Sequence, residues 1–220
     1  MNYAEVLNVI YNKILSIRNE KHGVLCIAIN GIEGSGKTTL AANLNNYLLE
    51  KGLKSKHVSI DGFHNTREIR YQKGRDNFLG YYEDAYDELA FKEHVLLATK
   101  HGIPYIVEEI YDMSAEEPVV PNKKFLDKDS VIITDGAYLF KDIYSTYWDF
   151  KIYLKVDYII AVERAIVRDE VLLGGRENTI NLYNSRYHKA SRYYSEKFLP
   201  EKIADTVFDF NNLNDITLLK

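Results

Sequence analysis

The sequence has little cysteine, no long apolar run and no excess of positive charge. Cys26 is the single cysteine among 220 residues, which excludes an intrachain disulfide. No apolar run approaches membrane-spanning length, and Glu5 and Asn8 interrupt any signal-peptide pattern. A net charge of −4 and a pI near 5.9 argue against a nucleic-acid-binding surface. These absences predict a cytoplasmic protein without a membrane or nucleic-acid partner.

The residues that are present suffice for one α/β domain. Hydrophobic residues make up 46% and charged residues 27%, which is ordinary for a globular protein. At this length we expect a single domain over residues 1–220. Apolar runs typical of strands alternate with helical patterns, which favours a mainly parallel sheet with helices on both faces. The unusual count is 18 tyrosines, most of them expected to pack with one polar end.

Residues 31–39, GIEGSGKTT, fit the pattern G-x-x-x-x-G-K-[ST] of a phosphate-binding loop. Glycines let consecutive backbone N–H groups turn toward one anion, and the helix that follows adds its free N-terminal donors. An apolar run at 24–29 and a helical pattern after residue 39 supply the strand and helix that such a loop needs. The predicted nucleotide-binding residues of this loop are Gly31, Glu33, Gly34, Ser35, Gly36, Lys37, Thr38 and Thr39.

Two side chains of the loop and one later carboxylate are predicted to bind the phosphates and the metal. Lys37 is predicted to reach the β- and γ-phosphates from a solvent-facing loop, and the Thr38 hydroxyl to bind Mg²⁺. The apolar run 130–134 ends on Asp135, as a Walker B strand ends on a carboxylate that faces the metal. Thr38 and Asp135 are therefore the predicted metal ligands. The alternative for Asp135 is an ordinary turn residue before glycine.

A second carboxylate, Asp61, follows another predicted strand at residues 56–60. The carboxyl ends of parallel strands face the ligand crevice, so Asp61 is placed to accept a proton from a substrate hydroxyl. The alternative is again a turn residue. His64, three residues later, is either a substrate contact or a structural hydrogen-bonding residue.

Two arginine-rich segments are candidates for covering the site. Residues 65–80 are polar and basic and are predicted to form a flexible loop on the substrate side, with a solvated surface loop as the alternative. Residues 164–178 form the predicted lid, in which Arg164, Arg168 and Arg176 neutralise phosphate charge. Arg168 is also expected to act in catalysis. The alternative for Arg164 and Arg168 is a solvated helix face.

Taken in order, these motifs resemble the uridine kinase and phosphoribulokinase superfamily over residues 24–210. The resemblance rests on the phosphate-binding loop, the run SIDGFH at 59–64, Tyr111-Asp112, the arginine pattern of the predicted lid, and the closing Pro200 with ADTV at 204–207. It implies a P-loop kinase fold with a central five-stranded parallel sheet. It further implies ATP and Mg²⁺ as cofactors and a small-molecule hydroxyl acceptor beside Asp61.

Departures from the uridine kinase pattern concern the acceptor. Tyr81 stands where uridine kinases carry an acidic residue that binds the ribose, and Tyr111-Asp112 is not followed by the family's histidine and arginine. A uridine- or cytidine-like nucleoside is the first expectation, and another hydroxylated metabolite, such as a sugar, riboside or pantothenate-like alcohol, is the alternative. The predicted substrate contacts are His64, Tyr81, Tyr111 and Asp112.

Two other classes of function fit the sequence less well. A GTP-dependent switch needs Asn-Lys-x-Asp, and the nearest stretch, NKKF at 122–125, lacks the aspartate. The other class is a nucleotide-binding module that has lost acceptor activity, but Lys37 and Asp61 are both present, so nothing in the sequence favours such a loss. A homo-oligomer is compatible with the sequence, and the preference for ATP or GTP is left open.

Overall fold

Strands and helices alternate along a computed structural model that describes residues 1–220. The strands are β1 (Leu25–Gly31), β2 (Ser55–Ser59), β3 (Tyr105–Val107), β4 (Tyr111–Asp112), β5 (Glu117–Pro118), β6 (Lys123–Phe125), β7 (Val131–Gly136), β8 (Phe150–Lys155), β9 (Thr206–Asp209) and β10 (Thr217–Leu218). The helices are α1 (Tyr3–Glu20), α2 (Lys37–Glu50), α3 (Arg67–Arg70), α4 (Phe78–Asp84), α5 (Glu88–Phe91), α6 (Ala98–Lys100), α7 (Tyr158–Asp169), α8 (Arg176–Leu182), α9 (His188–Phe198) and α10 (Pro200–Ile203).

The central sheet has six strands in the order β10-β9-β8-β1-β7-β2. The strands from β9 to β2 in this order run parallel, and β10 is antiparallel to β9 at the edge. The predicted α/β fold with a mainly parallel sheet is confirmed. The expected five strands are the parallel ones; the sixth is only two residues long and carries no alternation that a sequence pattern could reveal. The apolar run 105–107 is a strand, but β3 pairs with β6 outside this sheet.

Helices cover both faces of the sheet, and β1 shows how the sequence achieves this. Ile27 and Ile29 pack in the core beneath α1 and α2, whereas Cys26 and Ala28 belong to the core on the opposite face. A strand buried on both sides needs apolar residues at every position, which explains the continuous run. Burial raises the pKa of the Cys26 thiol to about 11, so this cysteine is a packing residue.

Apolar residues at helical spacing predict an amphipathic helix over residues 3–19, and α1 begins at the predicted residue. The side chain of Asn2 accepts from the Glu5 N–H at 3.0 Å, and the Glu5 carboxylate accepts from the Asn2 N–H at 2.7 Å. This capping box satisfies two donors that the first turn would otherwise leave free. None of the helices combines the length and apolar character required to cross a bilayer.

The spacing of apolar residues predicts a helix from Asp87, its expected cap, to about Lys100, with Leu89 facing inward, and the structure confirms this in part. Asp87 caps α5 by accepting from the Ala90 N–H at 2.9 Å, as predicted. Lys92–Leu97 between α5 and α6 is wound as a π-helix. Leu89 was expected to face inward, but it is 69% exposed. Phe91, two residues later and fully buried, takes the opposite side of the helix, since residues two apart differ by about 200° around the axis.

Both arginine-rich segments differ in detail from the sequence prediction. The 65–80 segment is not irregular throughout, because α3 and the start of α4 fall within it. The sequence also predicts a helix over residues 161–173; in the structure this helix is α7, which begins earlier and ends at Asp169. Positive backbone φ angles at Gly174 and Gly175 separate it from α8. Tyr183–Tyr187 joins α8 to α9 as a π-wound segment.

Candidate active site

The carboxyl ends of β1, β2 and β7 open into a cleft of about 630 Å³. This edge of a parallel sheet is where ligands bind in open α/β folds. The structure brings most of the predicted site residues into the wall of this cleft. Those residues are Glu33, Gly34, Lys37, Thr38, Asp61, His64, Tyr81, Asp135 and Arg168.

The loop between β1 and α2 has the backbone geometry of an anion site. Gly34 has φ +81°, and a Cβ there would lie 2.4 Å from the Ala161 carbonyl oxygen, so only glycine fits. Gly36 has φ +94° and caps α2 without a side-chain hydrogen bond to its first turn. That turn carries no acidic residue either. Its N–H groups and the positive end of the helix dipole are therefore available to a phosphate group.

Lys37 is buried rather than solvent-facing, which corrects the sequence prediction. Only 9% of its surface is exposed, and its Nζ donates to the Ile32 carbonyl at 2.8 Å. Burial lowers the pKa of this lysine, against the opposing negative charges of Glu33, Asp135 and Asp61. The reason for the difference is that Lys37 is the first residue of α2, so its side chain folds back over the loop.

Thr38 and Asp135 meet as predicted. The Thr38 hydroxyl donates to Asp135 Oδ2 at 2.6 Å, and His57 Nε2 lies 2.6 Å from Oδ1. Burial acts to raise the pKa of Asp135, but the hydrogen bonds from His57 and Thr38 outweigh it and hold this pKa below its ordinary value. A hydroxyl and a carboxylate are hard oxygen ligands that suit Mg²⁺, so the pair fits the expected metal. No group of three or more His, Cys, Asp or Glu side chains is arranged around a common metal position, so phosphate oxygens and water would have to complete the shell.

Asp61 lies in the 3₁₀ turn Ile60–Phe63 that directly follows β2. Its Oδ1 accepts from the Tyr86 hydroxyl at 3.0 Å, and the carboxylate is exposed to the cleft. His64 Nδ1 donates to the Asp61 carbonyl at 2.7 Å, and its ring packs 4.7 Å from that of Tyr86. Burial lowers the pKa of His64, against the charge of Asp61. His64 therefore supports the turn as well as lining the cleft.

Tyr81 connects the phosphate-binding loop to the helices above it. Its hydroxyl donates to Glu33 Oε1 at 3.1 Å, while the Ser191 hydroxyl on α9 donates to Oε2 at 2.9 Å. Burial, together with the charge of Glu33, raises the pKa of Tyr81 well above its usual value, so it stays a neutral donor. The position expected to be acidic in a uridine kinase thus holds a phenol bonded to a carboxylate from the loop.

The three predicted lid arginines are in different places. Arg168 lines the cleft, where its Nε and Nη2 donate to Asp169 at 2.6 and 2.8 Å. Arg164 borders a smaller cavity of about 190 Å³ on the other side of the loop, and donates to the carbonyls of Phe210 and Asn211 at 2.7 and 3.1 Å. Arg176 is exposed and lines neither cavity.

Tyr111 and Asp112, two predicted substrate contacts, do not reach the cleft wall. The Tyr111 hydroxyl donates to Glu116 Oε2 at 2.9 Å. The Asp112 carboxylate accepts from the Ser114 hydroxyl and N–H, both at 2.7 Å, and from the Ala115 N–H at 3.2 Å. These bonds lower the pKa of Asp112. In this structure Asp112 closes a turn, and Ser114 and Glu116 line the cleft instead.

The sequence prediction missed residues whose role depends on tertiary contacts. His57 in the middle of β2 and Tyr86 between α4 and α5 bond the two strand-end aspartates. Arg186, within the long helical pattern that precedes Pro200, lines the cleft. Only Tyr86 has a sequence signal, because it lies in the stretch DAYD at 84–87, which resembles the Asp-Ala-aromatic-Asp element of the uridine kinases.

A model of a known protein family matches residues 26–216, and this family is described as the phosphoribulokinase/uridine kinase family. The chain belongs to this family. The resemblance stated from the motifs is thereby confirmed. Membership makes the protein a P-loop kinase, a phosphotransferase with a hydroxyl acceptor, and implies the use of ATP.

Several solved structures share the fold of this chain. A protein described as a "possible uridine kinase" from Bacillus stearothermophilus is 26% identical, covers 95% of this chain and 100% of its own, and has a TM-score of 0.75. A D-glycerate 3-kinase from Cryptococcus neoformans is 11% identical over 98% of each chain, with a TM-score of 0.62. Phosphoribulokinase from Rhodobacter spheroides is 16% identical over 85% of this chain and 70% of its own, with a TM-score of 0.61. No curated protein matches the sequence significantly.

Proposed function

We propose that this kinase transfers the γ-phosphoryl group of ATP to a hydroxyl of a small molecule, with Asp61 as the general base. One observation carries the proposal. Asp61 shares a single cleft with Lys37, Thr38 and Asp135, and its Oδ2 accepts from no protein donor. A carboxylate with one oxygen held and one oxygen free is suited to receive a proton from a bound hydroxyl.

The donor side of the cleft suits a nucleoside triphosphate. The free N–H groups at the start of α2 and the Lys37 ammonium supply the charge that phosphoryl transfer needs. Thr38 and Asp135 would hold Mg²⁺, which supplies charge neutralisation and orientation of the phosphates when bound. The smaller cavity beside Arg164 and Phe210 is the candidate position for the nucleoside part of ATP.

The proposed step forms one O–P bond and breaks another. Asp61 Oδ2 accepts the hydroxyl proton while the acceptor oxygen attacks the γ-phosphorus, and the bond to the β–γ bridging oxygen breaks. ADP leaves with that oxygen, and the proton passes from Asp61 to water. Tyr86 holds the carboxylate in place through Oδ1, and Arg168 offsets charge on the transferring group.

The acceptor is a small hydroxylated metabolite in this proposal. A uridine- or cytidine-like nucleoside is the candidate suggested by the 26% identity to a possible uridine kinase. A sugar, riboside or pantothenate-like alcohol is the alternative, and the phenol at Tyr81 in place of an acid favours it. A ribose diol would find no free carboxylate there, because Tyr81 donates to Glu33.

Acceptor-dependent release of ADP tests the proposed function. Nucleosides, sugars, sugar acids, sugar phosphates and pantothenate-like alcohols would each be added to the protein with Mg²⁺ and ATP. We expect at least one to accelerate ADP release far above the rate with water alone. Slow release that no acceptor changes would instead indicate a switch or a binding module and would contradict the proposal.

A further inference from the structure

The cleft contains a buried cation that the proposed donor side does not use. Arg186 lies in the π-wound segment Tyr183–Tyr187 and lines the cleft. It is 3% exposed. Its guanidinium forms no ion pair or hydrogen bond with any protein group, and its Nε is fully enclosed without a partner. Single π-helical turns inside longer helices frequently mark functional sites.

An unpaired buried cation is costly, and the other buried cations of this cleft avoid that cost. Arg70, 5% exposed, is paired with Glu116, and Lys37 donates to a backbone carbonyl. Removing a charge from water without a partner is strongly unfavourable, so charged side chains are almost never fully buried in folded proteins unless they are paired. The chain supplies no anion to Arg186. The counterion of Arg186 would therefore have to come from a bound ligand.

Three tyrosines fix the Arg186 guanidinium without using its donors. Its central carbon lies 4.8, 5.1 and 5.8 Å from the ring centres of Tyr71, Tyr81 and Tyr187. Cation–π attraction of this kind holds a guanidinium by its face. The N–H groups at its edge stay free, and their planar fork matches the oxygens of a carboxylate or phosphate.

Further cations line the same wall. Arg67 and Arg75 are exposed at the cleft, and Arg75 forms no ion pair. Among the carboxylates that line the cleft, Glu116 pairs with Arg70 and lies 3.9 Å from Arg67, and Asp169 is bonded to Arg168. Six cations and five carboxylates line the cleft as a whole, so positive charge exceeds negative charge there, which favours an anionic ligand.

The position of Arg186 points to the acceptor rather than the nucleotide. Tyr71, which packs on the arginine, lies in the segment that follows the proposed base Asp61. Resting on the proposed kinase function, we infer that the acceptor carries an anionic group, a carboxylate or a phosphate, that binds Arg186 while its hydroxyl faces Asp61. A neutral nucleoside would leave the arginine without a counterion.

Calorimetry with matched probes tests this inference. The protein is first saturated with Mg²⁺ and a non-hydrolysable ATP analogue. The probes are glycerol, glycerate and glycerol 3-phosphate; ribose, ribonate and ribose 5-phosphate; and uridine. We expect an acid or phosphate of at least one set to bind at least ~10-fold more tightly than its neutral partner, the smallest ratio for a hydrogen-bonded charge. The carboxylate and phosphate arms identify which anion is recognised.

Substitutions of Arg186 test whether this side chain is responsible for the preference for anionic probes. Arg186→Gln should weaken binding of the preferred anion about 10- to 100-fold, because bonds to a charged group are lost. Arg186→Lys, which keeps the charge but not the planar fork, should retain part of the affinity and guards against a folding defect. Arg192→Gln is the matched control, since Arg192 is an exposed arginine on the following helix that packs on Tyr158 and lies outside the cleft.

The inference is overturned if anionic probes bind no better than their neutral partners, or equally well to Arg186→Gln. It is also overturned if uridine is the probe that depends on Arg186, or if Arg186→Gln weakens the ATP analogue instead. ADP release by the same proteins with ATP separates the two proposals. Arg186-dependent anion binding without phosphoryl transfer defeats the kinase proposal alone. Transfer to a neutral acceptor that Arg186→Gln does not change defeats the anion site alone.

Discussion

Each carboxylate of the cleft is oriented by a hydroxyl group. Tyr86 donates to Asp61, Thr38 donates to Asp135, and Tyr81 donates to Glu33. Such bonds fix the carboxylate oxygens before a substrate arrives, so little reorganisation is needed during the reaction. Burial raises the pKa of Tyr81 and of Tyr86 well above the usual value, so both remain donors at any physiological pH.

Replacing Lys37 tests the donor site at the level of one residue. Lys37→Met keeps an unbranched stem in the buried position and removes the ammonium. We expect turnover to fall at least ~10²-fold, as when one preorganised electrostatic group is lost. The melting temperature should change little, because the apolar stem needs no partner.

The control for this variant is Lys51→Met, an exposed lysine just beyond the end of the same helix. It should leave turnover unchanged. Turnover by Lys37→Met that equals the wild type, in a protein with an unchanged melting temperature, would refute the assignment of residues 31–39 to phosphate binding.

At the scale of elements, the lid consists of α7, the glycine turn at 174–175 and the start of α8. Arg168 is bonded to the adjacent Asp169 and, at 3.2 Å, to the Tyr183 hydroxyl, and Arg176 is exposed, so neither is paired with a carboxylate from a distant part of the chain. We expect Mg²⁺ and an ATP analogue to slow hydrogen exchange across residues 164–178 as these arginines engage the phosphates. Exchange in β3 and β6, which pair outside the central sheet and line neither cavity, should not change.

The same hydrogen-exchange experiment can also contradict the lid prediction. Slower exchange at residues 31–39 with no change at 164–178 would mean that nucleotide binds and the arginines remain a solvated helix face. The Arg176→Gln variant refines the test, because it should reduce protection of the lid and spare the phosphate-binding loop.

An ion pair joins α3 to the turn between β4 and β5. Arg70 is paired with Glu116, which also accepts from Tyr111 at 2.9 Å. Burial acts to raise the pKa of Glu116, but the bonds from Arg70 and Tyr111 outweigh it and leave the pKa below its usual value. A lowered folded-state pKa means that this stability is present above the unfolded pKa and is lost as pH falls.

Urea unfolding at several pH values measures how much the Arg70–Glu116 pair stabilises the folded protein. Glu116→Gln should lower the free energy of unfolding by about 1–3 kcal/mol at pH 7, the range for a hydrogen bond to a charged group. The difference from wild type should shrink as pH falls below about 4, where the glutamate of the unfolded chain is protonated first and that of the folded protein only at lower pH. Glu117→Gln, at the exposed neighbouring position, is the control. If the difference in free energy of unfolding between Glu116→Gln and wild type is the same at every pH, then the pKa of Glu116 does not change on unfolding, and the prediction is wrong.

Elements with a local signal were predicted and those defined by tertiary contacts were not. The strands β1 and β7 are continuous apolar runs, and the cap at Asp87 has a side chain that acts on its own helix. The π-wound turns have no periodicity of their own in the sequence. The burial of Lys37 and the bond of His57 to a strand-end aspartate depend on chain segments brought together only by folding.

At the scale of the whole molecule, the order of strands creates the site. Because β1 lies beside β7, and β7 beside β2, the phosphate-binding loop, Asp135 and Asp61 all leave the same edge of the sheet. The family motifs predicted this grouping, since three strand-end signals imply a shared edge once the sheet is parallel. The acceptor side was less predictable, because its wall comes from α3, α4 and the π-wound turn, whose mutual packing has no motif.

The central claim is that two aspartates at this edge divide the work, with Asp61 serving the acceptor and Asp135 the metal. Asparagine at either position keeps the size and removes the charge. Asp61→Asn should cut acceptor phosphorylation by ~10²–10⁴-fold, the range for a general base, and leave the binding of Mg²⁺ with ATP intact. Asp135→Asn should weaken the metal site, so that high Mg²⁺ restores part of its activity.

The deciding measurement is acceptor-dependent ADP release by both variants across a Mg²⁺ titration, with calorimetry of Mg²⁺-ATP binding. We expect a loss in Asp61→Asn that no Mg²⁺ concentration repairs, and a loss in Asp135→Asn that diminishes as Mg²⁺ rises. Rescue of Asp61→Asn alone would reverse the two roles. Full acceptor phosphorylation by both variants would contradict the catalytic assignment of either aspartate.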